Sequence, residues 1–191
     1  MTRGGPFLFL LLTLVLAACT PAGDDNLADP DQGDDAMNGN VVAGPIPEDL
    51  DLRLIRRDTD PLPPDALIKF QAISRAKDPS NNYRWILYED GRWFMAWHSG
   101  DTSDWQTPFD TVLPAEPTAM IAKRDVKKIE KELKNAGFAG QSPYLADPRV
   151  EDGTYYVVTA RLKDQVHEVI YDAAYPPLVE YLDGIIYEHQ P

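Results

Sequence analysis

The chain has 191 residues, and its 31 Asp and Glu outweigh 18 Lys and Arg for a formal net charge of −13. An acid excess of that size excludes a duplex nucleic-acid binder, which needs a basic face for phosphates. Cys19 is the one cysteine, so an intrachain disulfide and a cysteine-built zinc cage are both excluded.

Residues 1–18 read as an export signal. Arg3 charges the start, Phe7 to Leu16 is apolar apart from Thr13, and Ala17 and Ala18 are small residues before a cut site. The apolar run is too short to cross a hydrocarbon layer of roughly 30 Å as a helix. The tetrapeptide Leu16-Ala17-Ala18-Cys19 resembles the lipobox of bacterial lipoproteins. That resemblance implies a diacylglyceryl group on the Cys19 sulfur, cleavage before Cys19 and acylation of the new amine. It places the chain in the bacterial cell envelope, held to a lipid membrane. Thr20, where inner-membrane retention would use aspartate, points by the same resemblance to the outer membrane. Two or three long acyl chains, each buried CH₂ contributing about 0.8 kcal/mol, make a nearly permanent anchor.

Residues 19–60 are expected to hold the lipidated cysteine and a disordered acidic tether. From Thr20 to Asp60 there are eleven acidic residues, three arginines, many Gly, Asn and Pro, and no aromatic residue. Such a stretch buries too little apolar surface to offset its ordering entropy. As a flexible coil of that length it spans roughly 35 Å. A calcium loop over Asp29 to Asp34 fails, because Gly33 falls one place early and no glutamate closes it. Ile46, Leu50, Leu52, Leu54 and Ile55 are apolar enough to lie along a folded domain. Pro61, Pro63 and Pro64 mark its expected boundary.

Residues 61–191 are expected to form a single α+β domain. The leading strand is Ala66 to Ser74, with Ile68, Phe70 and Ala72 on one face. A first hairpin joins Tyr83–Glu89 to Arg92–His98 through Asp90-Gly91, a type I′ turn signal. Asp125 to Ala136 carries Val126, Ile129, Leu133 and Ala136 on one helical stripe, and Gly137 suits the left-handed position after a helix. A second hairpin joins Thr154–Leu162 to Val166–Tyr171 through polar Lys163-Asp164-Gln165. A second helix begins at Pro176-Pro177 and carries Leu178, Leu182 and Ile185 or Ile186. The expected architecture is an antiparallel sheet of two hairpins plus the leading strand, covered on one face by the two helices.

Catalytic signatures are missing. There is no G-x-S-x-G elbow, no phosphate-binding glycine loop and no His pair at helical spacing. His167-Glu168 sits in a strand pattern, where ligands four apart cannot act as they do on a helix. His98-Ser99-Gly100-Asp101 reads as a polar turn after the hairpin, because triad members are brought together by folding rather than by adjacency. The expectation is a non-enzyme with no metal and no cofactor.

Aromatic residues crowd one segment, from Tyr83 to Phe109, which holds all four tryptophans: Trp85, Trp93, Trp97 and Trp105. Alternation puts Trp93, Met95 and Trp97 on one face of a strand and Phe94 and Ala96 on the other. One aromatic face belongs to the core. The other is a candidate binding surface for a protein or a sugar, with Gly100 to Pro117 as a loop over it.

Asp152-Gly153-x-x-Tyr156-x-Val158, followed by a hairpin and then Pro177-Leu178 and Leu182, resembles emfourin-type inhibitors of bacterial thermolysin-like metalloproteases and related small bacterial domains. The resemblance implies a protein-binding module of the inhibitor kind. A lipid-anchored envelope protein with an envelope protein as partner is therefore expected. The alternatives are a sugar-binding envelope module using the aromatic face, and a hydrolase whose site the sequence does not display.

Overall fold

A computed structural model describes residues 41–50, 61–75, 81–98 and 113–189. The expected signal 1–18, Cys19, the tether up to Asn40, Trp105 and most of the Gly100–Pro117 loop lie outside the described residues. The described chain is α+β: one eight-stranded, mostly antiparallel sheet and two helices.

The sheet is organised around the leading strand. Strands β1 (Val42–Gly44), β2 (Ala66–Ser74), β3 (Tyr83–Tyr88), β4 (Arg92–Trp97), β5 (Ala119–Met120), β6 (Tyr144–Ala146), β7 (Thr154–Leu162) and β8 (Gln165–Asp172) are ordered β1-β6-β8-β7-β2-β3-β4-β5. Strand β2 is central and pairs antiparallel with β3 on one side and β7 on the other. Among the described strands, β6 and β8 form the one parallel pair. Helix α1 spans Lys123–Asn135 and helix α2 spans Pro177–His189.

Strand alternation sorts the side chains. Ile68, Phe70, Trp85, Leu87, Trp93, Val158, Val169 and Tyr171 join Val126, Ile129 and Leu133 of α1 and Leu178, Leu182 and Ile186 of α2 in the main core. The opposite face carries a buried polar band of Lys69, Gln71, Arg84 and Thr159. Thr159 donates its hydroxyl to Glu168 at 2.8 Å. Smaller apolar clusters flank the band, one around Val157 and Ile170 and one around Ala66 and Ile86.

The first hairpin departs from the expected turn. A type I′ turn needs positive φ at both Asp90 and Gly91. Gly91 has φ +93°, whereas Lys163 and Ala173 are the non-glycine residues with positive φ among those described. The Gly91 N–H instead bonds back to the Tyr88 carbonyl at 3.0 Å. Three residues thus make the turn, with glycine in the left-handed position of a bulge. Asp90 stabilises it by accepting from the Arg92 backbone N–H at 3.1 Å and from Arg92 Nε at 2.7 Å. The second hairpin turns in two residues, Lys163-Asp164, with Leu162 opposite Gln165. Lys163 has φ +58°.

Two strands extend the sheet beyond the expected set. Val42–Gly44 falls in the stretch assigned to the tether, yet it pairs with Tyr144–Ala146. Ile46 and Leu50 then pack on the Val157/Ile170 cluster. The described sheet therefore includes chain ahead of the Pro61 boundary, because the edge offered by β6 satisfies a backbone whose composition alone would leave it unpaired. The prolines at 61–64 do not separate two regions. Arg161 of β7 donates to the carbonyls of Leu62, Pro63 and Ala66 at 3.1 to 3.4 Å and draws them onto the sheet.

Both expected helices form. Helix α1 buries Val126, Ile129 and Leu133, and Gly137 follows it with φ +60° and its N–H on the Lys134 carbonyl.

Candidate functional site: a row of aromatic rings

Pairing of the central strands aligns five residues in one row across the sheet. Trp97 lies opposite Tyr83, Tyr83 opposite Ala72, Ala72 opposite Tyr156, and Tyr156 opposite Tyr171. All five point to the face that carries the main core. Ala72 is the small member, and Phe70, two residues before it, fills the gap. Its ring lies 6.1 Å from Tyr83 and 5.8 Å from Tyr156. Tyr83 leans on Trp97 at 4.9 Å, and Tyr156 on Tyr175 at 5.3 Å.

The rings therefore run without a break from Trp97 to Tyr175. Both ends reach water: Trp97 is 39% exposed and Tyr175 is 46% exposed. Tyr187 on α2 is 74% exposed. Burial raises the Tyr156 and Tyr175 hydroxyls above the ordinary tyrosine value, so both stay protonated and can donate. Tyr175 donates to Asp183 Oδ2 at 2.7 Å. Burial pushes the Asp183 carboxyl up to about 6.

This surface differs from the expected one. Trp85 and Trp93 are fully buried, each at 0% exposure. Trp85 stacks on Phe70 at 5.3 Å, and Trp93 meets the His189 ring at 6.1 Å. Trp97 shares their alternation but sits at the end of its strand, where cover runs out. Of the four expected tryptophans, Trp97 is on the surface, Trp85 and Trp93 are core, and Trp105 lies outside the described residues. Tyr156, Tyr175, Tyr187 and Asp183 were missed as site residues. They lie more than fifty residues further along the chain, and only the β2–β7 pairing brings them beside the first hairpin.

Two other polar clusters are structural. Gln141 accepts a short hydrogen bond from the Tyr171 hydroxyl and donates to the Ala136 carbonyl at 3.0 Å. The His167 ring reaches the Gln141 carbonyl at 3.0 Å and meets Phe138 edge-on at 5.3 Å. His167 is thus half-buried, and it ties β8 to the chain after α1. On the other face, Asp172 accepts from Arg75 at 2.9 Å and from the Tyr144 hydroxyl at 2.5 Å. Burial and that bond hold Tyr144 well above the ordinary tyrosine range, so it is no base at neutral pH.

Among the described residues no group of His, Cys, Asp and Glu is arranged to hold a metal ion, and no helix is long and apolar enough to cross a membrane. His98 is buried, and the Ser99 to Asp101 stretch lies outside the described residues. No family model, curated protein or solved structure matches the chain.

Proposed function

We propose that this chain is a lipid-anchored protein of the bacterial cell envelope whose α+β domain is a non-enzymatic module that binds another protein through the Trp97–Tyr175 surface. In this reading Cys19 carries the lipid and the acidic stretch after it gives the domain reach. The two hairpins flank the leading strand, and both helices cover the one sheet face that bears the rings. The outer membrane is the destination that Thr20 suggests.

The observation that carries the proposal is the pair of exposed rings, Trp97 and Tyr175, at the two ends of a row of packed rings whose middle members, Phe70 and Tyr83, are buried and hold them. Trp and Tyr supply large rigid contact area at low entropic cost and dominate binding hot spots. The emfourin-like cadence around Asp152-Gly153 and Tyr156 supports a protein partner of the metalloprotease class, since Tyr156 packs directly against the exposed Tyr175. The same rings could stack on a sugar, and that alternative is separated by experiment.

The test is capture from envelope extract by the full-length chain, compared with Trp97→Ala/Tyr175→Ala. A protein lost with the double variant supports the proposal, and a metalloprotease supports its inhibitor form. An unchanged set of captured proteins overturns it. Capture by immobilised polysaccharide that depends on the same two residues moves the reading to the sugar.

A further inference from the structure

We propose that the outer face of α1 is a docking surface for an anionic lipid bilayer. The inference rests on the reading of Cys19 as a lipid anchor and adds that the domain then lies against the membrane on this helix.

Helix α1 holds six of the chain's 18 Lys and Arg within 13 residues. They are Lys123, Arg124, Lys127, Lys128, Lys131 and Lys134, and all six are exposed. Val126, Ile129 and Leu133 centre the buried stripe. At about 100° per residue, the six bases and Asn135 fill one continuous arc of about 140° on the opposite side. The three acids of the helix, Asp125, Glu130 and Glu132, fall outside that arc and are half-buried at its flanks. Arg124 touches Asp125 at 3.5 Å, and Lys128 lies over the Tyr181 ring at 5.1 Å. Elsewhere the described cations serve the fold, apart from exposed Lys163 in the second hairpin turn. Lys69 and Arg84 are buried. Arg75 pairs with Asp172, Arg92 with Asp65 and Asp90, and Arg149 with Asp147, while Arg161 holds backbone carbonyls.

The arc is costly to the helix that carries it. Lys123 and Lys127, Arg124 and Lys128, and Lys127 and Lys131 are like charges four apart, which repel. Glu130 and Glu132, each four from a lysine, offset part of this. Lys123 and Arg124 also sit at the positive end of the helix dipole, and Ala122 ahead of them supplies no side-chain cap. An exposed face of one sign, kept against these local costs in an acidic chain, points to an external counter-charge. The residue types select a lipid surface. Five of the six are lysines, compact charges on flexible stems, without the fixed fork by which arginine grips a single carboxylate or phosphate. The arc holds no aromatic or aliphatic side chain to serve as a protein hot spot or to stack on bases. Along the helix the stripe is about 20 Å long, so its charges can meet a plane of headgroups together. Screening over about 8 Å at physiological ionic strength hides acids deeper in the domain from the bilayer. The chain's net charge of −13 then turns the remaining surface away and fixes which side faces the lipid.

The probes are vesicles of phosphatidylcholine alone and of phosphatidylcholine mixed three to one with phosphatidylglycerol. Full-length Cys19→Ala is sedimented with each, so that binding reads the helix and not an acylated cysteine. Binding to the anionic vesicles alone, abolished by high salt, is expected. Lys127→Gln/Lys131→Gln/Lys134→Gln should weaken it about a hundredfold, roughly fivefold per residue. Its thermal melt should match the parent's, because like-charge pairs are removed together with the bases. Lys163→Gln, which removes an exposed cation away from α1, should bind as the parent does. The proposal is overturned by equal binding to both kinds of vesicle, by binding that survives high salt, by an unchanged triple variant, or by an equal loss with Lys163→Gln. Binding of polyglutamate but not of anionic vesicles overturns it in favour of an acidic protein segment. Fatty-acid labelling that does not depend on Cys19, with vesicle binding intact, would remove the anchor and keep the docking face. Cys19-dependent labelling without vesicle binding would do the reverse.

Discussion

Phe70 and Trp85 sit directly opposite each other on β2 and β3, their rings 5.3 Å apart and within 14° of parallel. Both are fully buried at the middle of the sheet. Trp85→Ala should therefore lose about 3–5 kcal/mol of stability. Trp97→Ala, at the exposed end of the neighbouring strand, should lose about 1 kcal/mol or less. Urea denaturation of the two variants checks the contrast. Equal losses would mean that Trp97 is core and not surface.

The link between Tyr171 and Gln141 is testable by a single atom. Tyr171→Phe keeps the ring but strands the Gln141 side-chain oxygen, at a cost of about 1–3 kcal/mol. Because Gln141 also holds His167 and the end of α1, hydrogen exchange of the 136–141 amides should speed up in this variant. Unchanged exchange there would show that the bond does not fasten the segment.

Two glycines with positive φ should respond differently to alanine. At Gly137 (φ +60°) nothing lies within 4 Å of an added Cβ, so the cost is the left-handed conformation alone, about 1–2 kcal/mol. At Gly91 (φ +93°) the same Cβ would meet the Ile121 carbonyl oxygen at 2.3 Å. Backbone must then move, and β5 loses its register on β4. Thermal melts should rank Gly91→Ala well below Gly137→Ala.

Stability should carry the mark of Asp183. Its folded carboxyl is raised from 3.8 to about 6, so the folded chain keeps this proton after the unfolded chain has released it. Between these two values the unfolded state binds fewer protons, and stability from this group falls as pH rises from about 4 to about 6. Asp183→Asn removes that slope. Because the carboxyl is half-exposed, the gain at pH 7 should be about 1 kcal/mol, vanishing near pH 4. A variant no more stable than the parent at pH 7 contradicts this.

The proposed anchor is checked by metabolic labelling with a fatty acid. The parent chain should be labelled, and Cys19→Ala should be unlabelled and released in soluble form. Equal labelling of both ends the lipoprotein reading.

The regular elements were legible where local chemistry settles them. The β2 alternation, the α1 stripe with Gly137 behind it and the prolines ahead of α2 each depend on neighbours within one or two turns. What escaped depends on distant partners. Strands β1 and β6 are three residues each, too short for a periodic signal, and each exists because the other or β8 supplies hydrogen bonds. The turn at Asp90-Gly91 escaped because Asp90 spends its side chain on Arg92 and leaves the positive φ to glycine alone. The site was half legible. An aromatic face on the first hairpin follows from composition, but which rings reach water depends on how far the core extends along β4, and Asp183 joins them only through the register of β7 against β2.

The position of β1 has a mechanical consequence. It is one of the two edge strands of the described sheet, it is held to β6 over three residues, and it is the first described strand on the Cys19 side of the chain. A pull from that side loads this short pairing first. Next in line beyond residue 60 is β2, which is gripped by β3 and β7 at the centre of the sheet. Tension should release β1 at low force and then stop against the core. If the proposed anchor and partner hold, a domain tugged from both sides would gain length before the centre of its sheet was loaded, and β1 would serve as a mechanical fuse.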